Sequence, residues 1–245
     1  MNDSQYIHRR SFLRRTGAAG AAVAAGPLVM GAAPKGSSVS LVIDGADPVA
    51  AAAPVQGAAK ELRQALADAG FTVHRHERAE QAGKGELCIV ASASAAPVAA
   101  AALNDAQISA PAVPESLALL STSIAGRPAI LACGADARGI TYALLELADR
   151  VRHGAALKIA TPIAERPANP VRSVMRQFVS EMYDKPWFYD REMWPRYLGM
   201  LAAQRFNRFQ LAFGLGEDML RHVQDQYFLF TYPFLMAVPG YDVRV

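Results

Sequence analysis

PVRSVMRQFVSEMYDKPWFYDREMWPRYLGMLAAQRFNRFQLAFGLG, residues 170–216, opens with a strand-like run, Val171–Phe178. It continues through an aromatic and charged loop into a helical segment, Arg191–Gln204, and a second strand-like run, Phe206–Phe213. Strand, helix, strand with connections of this length is a βα unit feeding a parallel sheet. The expected fold class is therefore α/β, and the rest of the chain leads up to this stretch or follows it.

Residues 153–169 are Pro-rich (TPIAERPAN) and read as a domain linker. Before them, residues 38–152 read as a compact α/β sandwich, a mixed sheet with helices on one or both faces. Val39–Ile43, Phe71–Arg75 and Glu86–Ala91 are the first three strands. Leu117–Ser121 and Ala129–Cys133 flank a hairpin turn at Ala125-Gly126-Arg127-Pro128. Pro54–Ala69 has Ala58, Leu62, Ala65, Leu66 and Ala69 at helical spacing, with Gly70 as its stop. Ser94–Leu103 is a weaker, Ala-rich helix with Pro97 near its start. Asp136–Val151 carries the clearest stripe: Ile140, Ala143, Leu144, Leu147, Ala148 and Val151. Gly134-Ala135-Asp136-Ala137-Arg138-Gly139 has neither the dinucleotide spacing nor the Gly-Lys-Ser/Thr of a phosphate loop, so it reads as a strand-to-helix turn capped by Asp136.

The N-terminus carries His8-Arg9-Arg10-Ser11-Phe12-Leu13-Arg14, a twin-arginine pattern, followed by an apolar small-residue stretch, Ala18–Ala33. That stretch is too short and weak to span a membrane, so residues 1–33 read as an export signal to the periplasm or beyond. The formal charge of +3 belongs to this segment. Setting aside its four Arg and one Asp leaves 21 basic and 21 acidic side chains, so no electrostatic case exists for a nucleic-acid partner, or for a membrane partner once the signal is removed. The two Cys, Cys88 and Cys133, sit in apolar strand-like runs and read as buried thiols, or as a disulfide if their strands are neighbours. No cofactor fingerprint is present. His74-x-His76 shares a strand face but has no third ligand nearby in sequence, so no metal site is expected.

Two stretches carry a family resemblance. GRPAILACGADARGITYALLELADRV, residues 126–151, resembles the end of the small α/β domain that precedes the barrel in α-glucuronidases and β-N-acetylhexosaminidases. NPVRSVMRQF, residues 169–178, is similar to the first strand of the (β/α)8 catalytic domain in the same enzymes. The resemblance implies an accessory domain at 38–152 and the start of a glycosidase barrel at 170–245, with a carbohydrate substrate. In hexosaminidases the first barrel strand opens Arg-Gly, and that Arg binds sugar hydroxyls. Arg172 stands at that position here, followed by Ser173. Where their second strand has a His and an acidic pair, this chain has Gln210 and Ala212, then Leu215 and Gly216.

A (β/α)8 barrel needs roughly 250 residues, and its site is built on βα loops at the C-terminal strand ends. Pro170–Val245 comprises 76 residues, enough for about two βα units, so the catalytic carboxylates are expected on later strands, with a fragment inactive by itself. The candidate substrate-binding residues are Arg172, Arg176, Trp187, Gln210 and Glu217. Arg172 and Arg176 share a strand face by period two; if that face lines the barrel they await an anion. Trp187 is the preferred sugar-stacking aromatic, against a reading of core packing. Glu217 either contacts a hydroxyl or, with Asp218, caps the next helix. A non-catalytic carbohydrate-binding module is the alternative for the whole chain.

Overall fold

The computed structural model describes residues 37–178 and 181–213. The export pattern, Glu217 and the aromatic-rich segment 227–241 lie outside these residues. The elements run β1 (Ser38–Ile43), α1 (Ala53–Asp68), β2 (Thr72–His76), a 3-10 turn (Ala79–Gln81), β3 (Leu87–Ala93), α2 (Pro97–Asp105), β4 (Leu117–Ile124), β5 (Arg127–Gly134), α3 (Ala137–Arg152) and β6 (Ile163–Glu165). A second group follows: β7 (Ser173–Phe178), α4 (Glu181–Phe188), α5 (Met193–Ala203) and β8 (Arg208–Phe213).

The first group builds a mixed six-stranded sheet in the order β2-β1-β3-β5-β4-β6. β2, β1, β3 and β5 are parallel, whereas β4 runs antiparallel to β5 and to β6. Strand alternation divides its apolar residues between two cores. Val39, Leu41, Ile43, Ile89, Leu119 and Ile130 pack under α1 and α3. Val42, Cys88, Val90, Leu120, Leu131 and Cys133 pack with Ala99, Ala102 and Leu103 of α2 on the other face. That two-sided burial is why LCIVA is apolar at every position. The α/β class and the mixed sheet expected from the sequence are both present.

Local chemistry fixes the connections. Ala125 and Gly126 are both left-handed (φ 52° and 70°), the requirement of a two-residue type I′ hairpin joining Ile124 to Arg127. Asp136 caps α3 by accepting from Gly139 N at 2.8 Å, and its other oxygen accepts from Glu115 N at 3.1 Å. Asp136→Ala is expected to cost about 1–2 kcal/mol, read as a lower denaturant midpoint at unchanged slope.

The linker is not loop throughout: Ile163–Glu165 pairs with Leu117–Leu119 and closes the sheet. Cys88 lies opposite Ala129 and Cys133 opposite Ser92, so the thiols sit on neighbouring strands but out of register, and both are free and buried. This corrects the disulfide alternative. Burial raises both thiols, Cys133 to about 12. A thiol reagent at pH 8 is therefore expected to modify neither cysteine in the folded protein and both in denaturant.

In the second group β7 and β8 pair in parallel, Ser173 with Arg208 through Phe178 with Phe213, with α4 and α5 in the crossover. The sequence reading of strand, helix and strand matches β7, α5 and β8. The aromatic loop between them instead contains α4, which has Pro186 inside it. Trp187 and Phe188 pack on Phe178, with ring centroids 6.1 and 5.6 Å away, and this packing outweighs the helix-breaking proline.

Candidate functional site

The two faces of the β7–β8 pair differ completely. Val174, Arg176 and Phe178 share one face with Phe209 and Leu211, and α4 and α5 cover it. Trp194 and Tyr197 of α5 contact Phe209 at 5.9 and 5.7 Å. Arg176 lies in this layer, its guanidinium 3.9 Å from the centre of the Trp187 ring and 5.8 Å from that of Tyr197. Trp187 is anchored in turn, donating from Nε1 to Asp184 Oδ1 at 2.7 Å. The other face presents Ser173, Met175, Gln177, Arg208 and Gln210, all exposed, Met175 by 59%.

The predicted residues therefore separate. Arg176 and Trp187 come together, on the helix-covered side. Gln210 alone faces the open side, beside Met175 and diagonal to Gln177. Arg172 precedes β7 and sits at the opposite, N-terminal end of the pair. Its side chain points neither to a barrel interior nor to water. Its Nη2 donates to Glu115, Nε to Arg205 O (2.6 Å) and Nη1 to Asn169 O (2.8 Å), and its guanidinium lies 5.9 Å from the centre of the Tyr142 ring. The anion sought for the Arg172–Arg176 face is, for Arg172, a carboxylate of the six-stranded domain.

Glu115 is the centre of that junction. It is 7% exposed, and besides Arg172 it accepts from Arg138 Nη1 at 2.8 Å and from Asn207 Nδ2 at 2.9 and 3.1 Å. Burial pushes its carboxyl up, but hydrogen bonds from Asn207, Arg172 and Arg138 together outweigh burial and hold it below the ordinary carboxylate range. Arg138 is raised by its bond to Glu115; Tyr142 is raised by burial first and by the Glu115 charge second. Asn207 also locks the start of β8 to that of β7, accepting from Arg172 N at 2.9 Å and donating to Pro170 O at 2.7 Å. Arg205 pairs with Glu165 and, at 3.3 Å, with Glu146. Sequence reasoning misses Glu115, Asn207 and Arg205, because the Glu115 contacts span 23 to 92 positions and no local pattern marks them.

Neither a sequence-family model nor a curated protein matches the chain. Its fold does match solved structures. A GH138 enzyme, described as targeting pectin rhamnogalacturonan II, superposes with a TM-score of 0.51 at 19% identity, over 71% of this chain and 24% of that one. A second structure, CpGH84D, aligns with a TM-score of 0.42 at 8% identity, over 74% of this chain and 36% of that one. The chain thus shares the fold of part of a glycoside hydrolase and spans about a quarter of that enzyme's length.

In this fold two places can hold a ligand on general grounds. One is the crevice at the C-terminal ends of β1 and β3, where the sheet's connections diverge. Here Asp47 spends one oxygen on Val49 N and Ala50 N (2.9 and 3.2 Å) and the other on Ala93 N (3.0 Å), so the loop after β1 is tied across it. A cavity of about 380 Å³ remains, lined by Asp44, Glu77 and Glu80 among others. The other is the open β7–β8 face. Its two amides, hydroxyl and guanidinium suit hydroxyl recognition, but it carries no carboxylate and so no acid–base pair. Glu86 is held below the usual carboxylate range chiefly by its hydrogen bond from Ser40. His74 Nδ1 lies 3.3 Å from it. Among the described residues no group of three or more His, Cys, Asp or Glu is arranged to hold a metal.

Proposed function

We propose that the chain is the leading portion of an exported glycoside hydrolase: a twin-arginine signal at 1–33, an accessory α/β domain at 38–152, a connection at 153–169 and the opening of a (β/α)8 barrel from 170. The observation that carries this reading is the β7–β8 pair. Parallel sheets occur with both faces covered, because crossover helices cover one and packed side chains the other. Among the described residues helices cover one face only, and the opposite face is exposed and, Met175 aside, mostly polar, as the inner wall of a barrel would be before its other strands close it. The shared fold with part of a GH138 enzyme supports the reading at the level of fold. Gln210 and Gln177 are then wall residues of a carbohydrate site, and Arg172 is a junction residue. The roles of Arg176 and Trp187 follow from their place outside the wall: they brace α4 against β7. Glu217, four residues past β8, falls where a βα loop would begin.

The reading makes the acid and nucleophile (or base) properties of later strand ends. The 245-residue chain is therefore expected to release no aryl group from aryl glycosides. The product of an in-frame continuation of the gene is expected to do so, and to lose turnover by at least about a thousandfold when its paired carboxylates are replaced. Turnover by the 245-residue chain, or no turnover by a continued product carrying further strands, would contradict it. A non-catalytic carbohydrate-binding module is favoured by one observation, the lack of any carboxylate on the open face. Glycan binding by a chain whose reading frame stops after Val245 would decide for it.

A further inference from the structure

The layer formed by β7, α4, α5 and β8 meets the six-stranded domain in two ways. The apolar contact, α5 against α3, is thin. A groove of about 530 Å³ opens between α5 and the α1–α3 pair, and Gly57 and Gly199 on its walls have open space where a side chain would stand. The polar contact is dense, although a second cavity of about 290 Å³ lies beside it. There both Glu115 oxygens are bonded, to Arg138 and Asn207 on one side and to Arg172 and Asn207 on the other. Glu115 and Arg205 both hold left-handed backbone (φ 65° and 64°), a conformation non-glycine residues keep only when neighbouring bonds enforce it. Asp136 enforces the first through Glu115 N. The Schellman bonds Phe206 N to Leu201 O and Arg205 N to Ala202 O enforce the second.

We propose that Glu115 is an acid-operated latch: its carboxylate fastens the β7–β8 layer to the six-stranded domain, and neutralising it frees that layer while the domain stays folded. The inference stands apart from the enzymatic reading. The groups facing the latch are Asp136, Arg138 and Tyr142 at and along α3, Arg172 ahead of β7 and Asn207 ahead of β8, with Arg205, Glu146 and Glu165 beyond them. Three guanidiniums thus converge on a junction whose deepest anion is Glu115. Its folded-state carboxyl is held below the unfolded value, so its contribution is complete above the ordinary carboxylate range and is lost as pH falls through the folded value. Glu146 and Glu165 hold Arg205 at the same junction, so the decisive comparison is made at neutral pH.

The test is hydrogen exchange of the full chain at pH 7 with E115Q and N207D, the second placing a carboxylate against Glu115 from the other side. Both variants are expected to exchange at least about tenfold faster in peptides covering 169–178 and 204–213, with peptides covering 117–152 unchanged. By small-angle scattering the wild type is expected to expand as pH falls below the ordinary carboxylate range, with its far-UV signal retained, and E115Q to be expanded already at pH 7. Unchanged exchange in both variants, faster exchange over the whole chain, or an E115Q as compact as the wild type at pH 7 would each overturn the latch.

Discussion

Gly139→Ala is expected to destabilise the protein by about 3 kcal/mol or more, the range of core overpacking. A Cβ at this position would lie 2.2 Å from Ser116 O and 3.0 Å from Gly134 Cα, and no rotamer change relieves either because both are backbone atoms. Gly134, at the end of β5, faces the same constraint from the other side, since its Cβ would meet Ile140 N at 2.4 Å. The two glycines let the first turn of α3 lie directly against the end of the sheet and the segment carrying Glu115. At this chain length the loss corresponds to a Tm lower by roughly 6–12 °C. Calorimetry checks it, and a G139A Tm within about a degree of wild type would contradict the close approach.

Phe178→Ala should cost about 3–5 kcal/mol, but locally. Phe178 is 1% exposed and packs with Trp187 and Phe188 beneath the crossover, at the end of β7. A two-stranded pair has little stability by itself, so it depends on this aromatic layer. The chain's two tryptophans, Trp187 and Trp194, both lie in the layer. In F178A, tryptophan fluorescence is expected to unfold at lower denaturant than the far-UV signal, which reports mainly α1, α3 and the six-stranded sheet. Coincident transitions for the two probes would show that the layer and the domain unfold as one.

Most of the six-stranded domain is legible in the sequence because its periodicities are strong. All six stripe residues of α3, from Ile140 to Val151, are buried, and so is every residue from Val39 to Ile43. β6 is hidden because its three residues are held by backbone pairing at a half-exposed edge, with no apolar alternation to read. α4 is hidden because Pro186 and a run of aromatics argue locally for a loop, and only the packing on Phe178 reverses that. Within the candidate site, alternation puts Arg172 and Arg176 on one face, but which face the helices cover depends on α5. A signal for this exists: Trp194, Tyr197 and Leu201 recur at i, i+3 and i+7, an apolar stripe that must lie against the strand face carrying Val174, Arg176 and Phe209. Glu115, in contrast, becomes a junction residue only when chain distant in sequence folds back on it.

β7 and β8 form a parallel pair covered on the Arg176 side and open on the Gln210 side. Thiol labelling of single-cysteine substitutions measures this directly, because Cys88 and Cys133 are buried and silent in the folded protein. Met175→Cys and Gln210→Cys are expected to react at the rate of a free thiol, and Val174→Cys and Leu211→Cys at least about tenfold more slowly. Equal protection at all four positions, or protection of the first two alone, would contradict this arrangement.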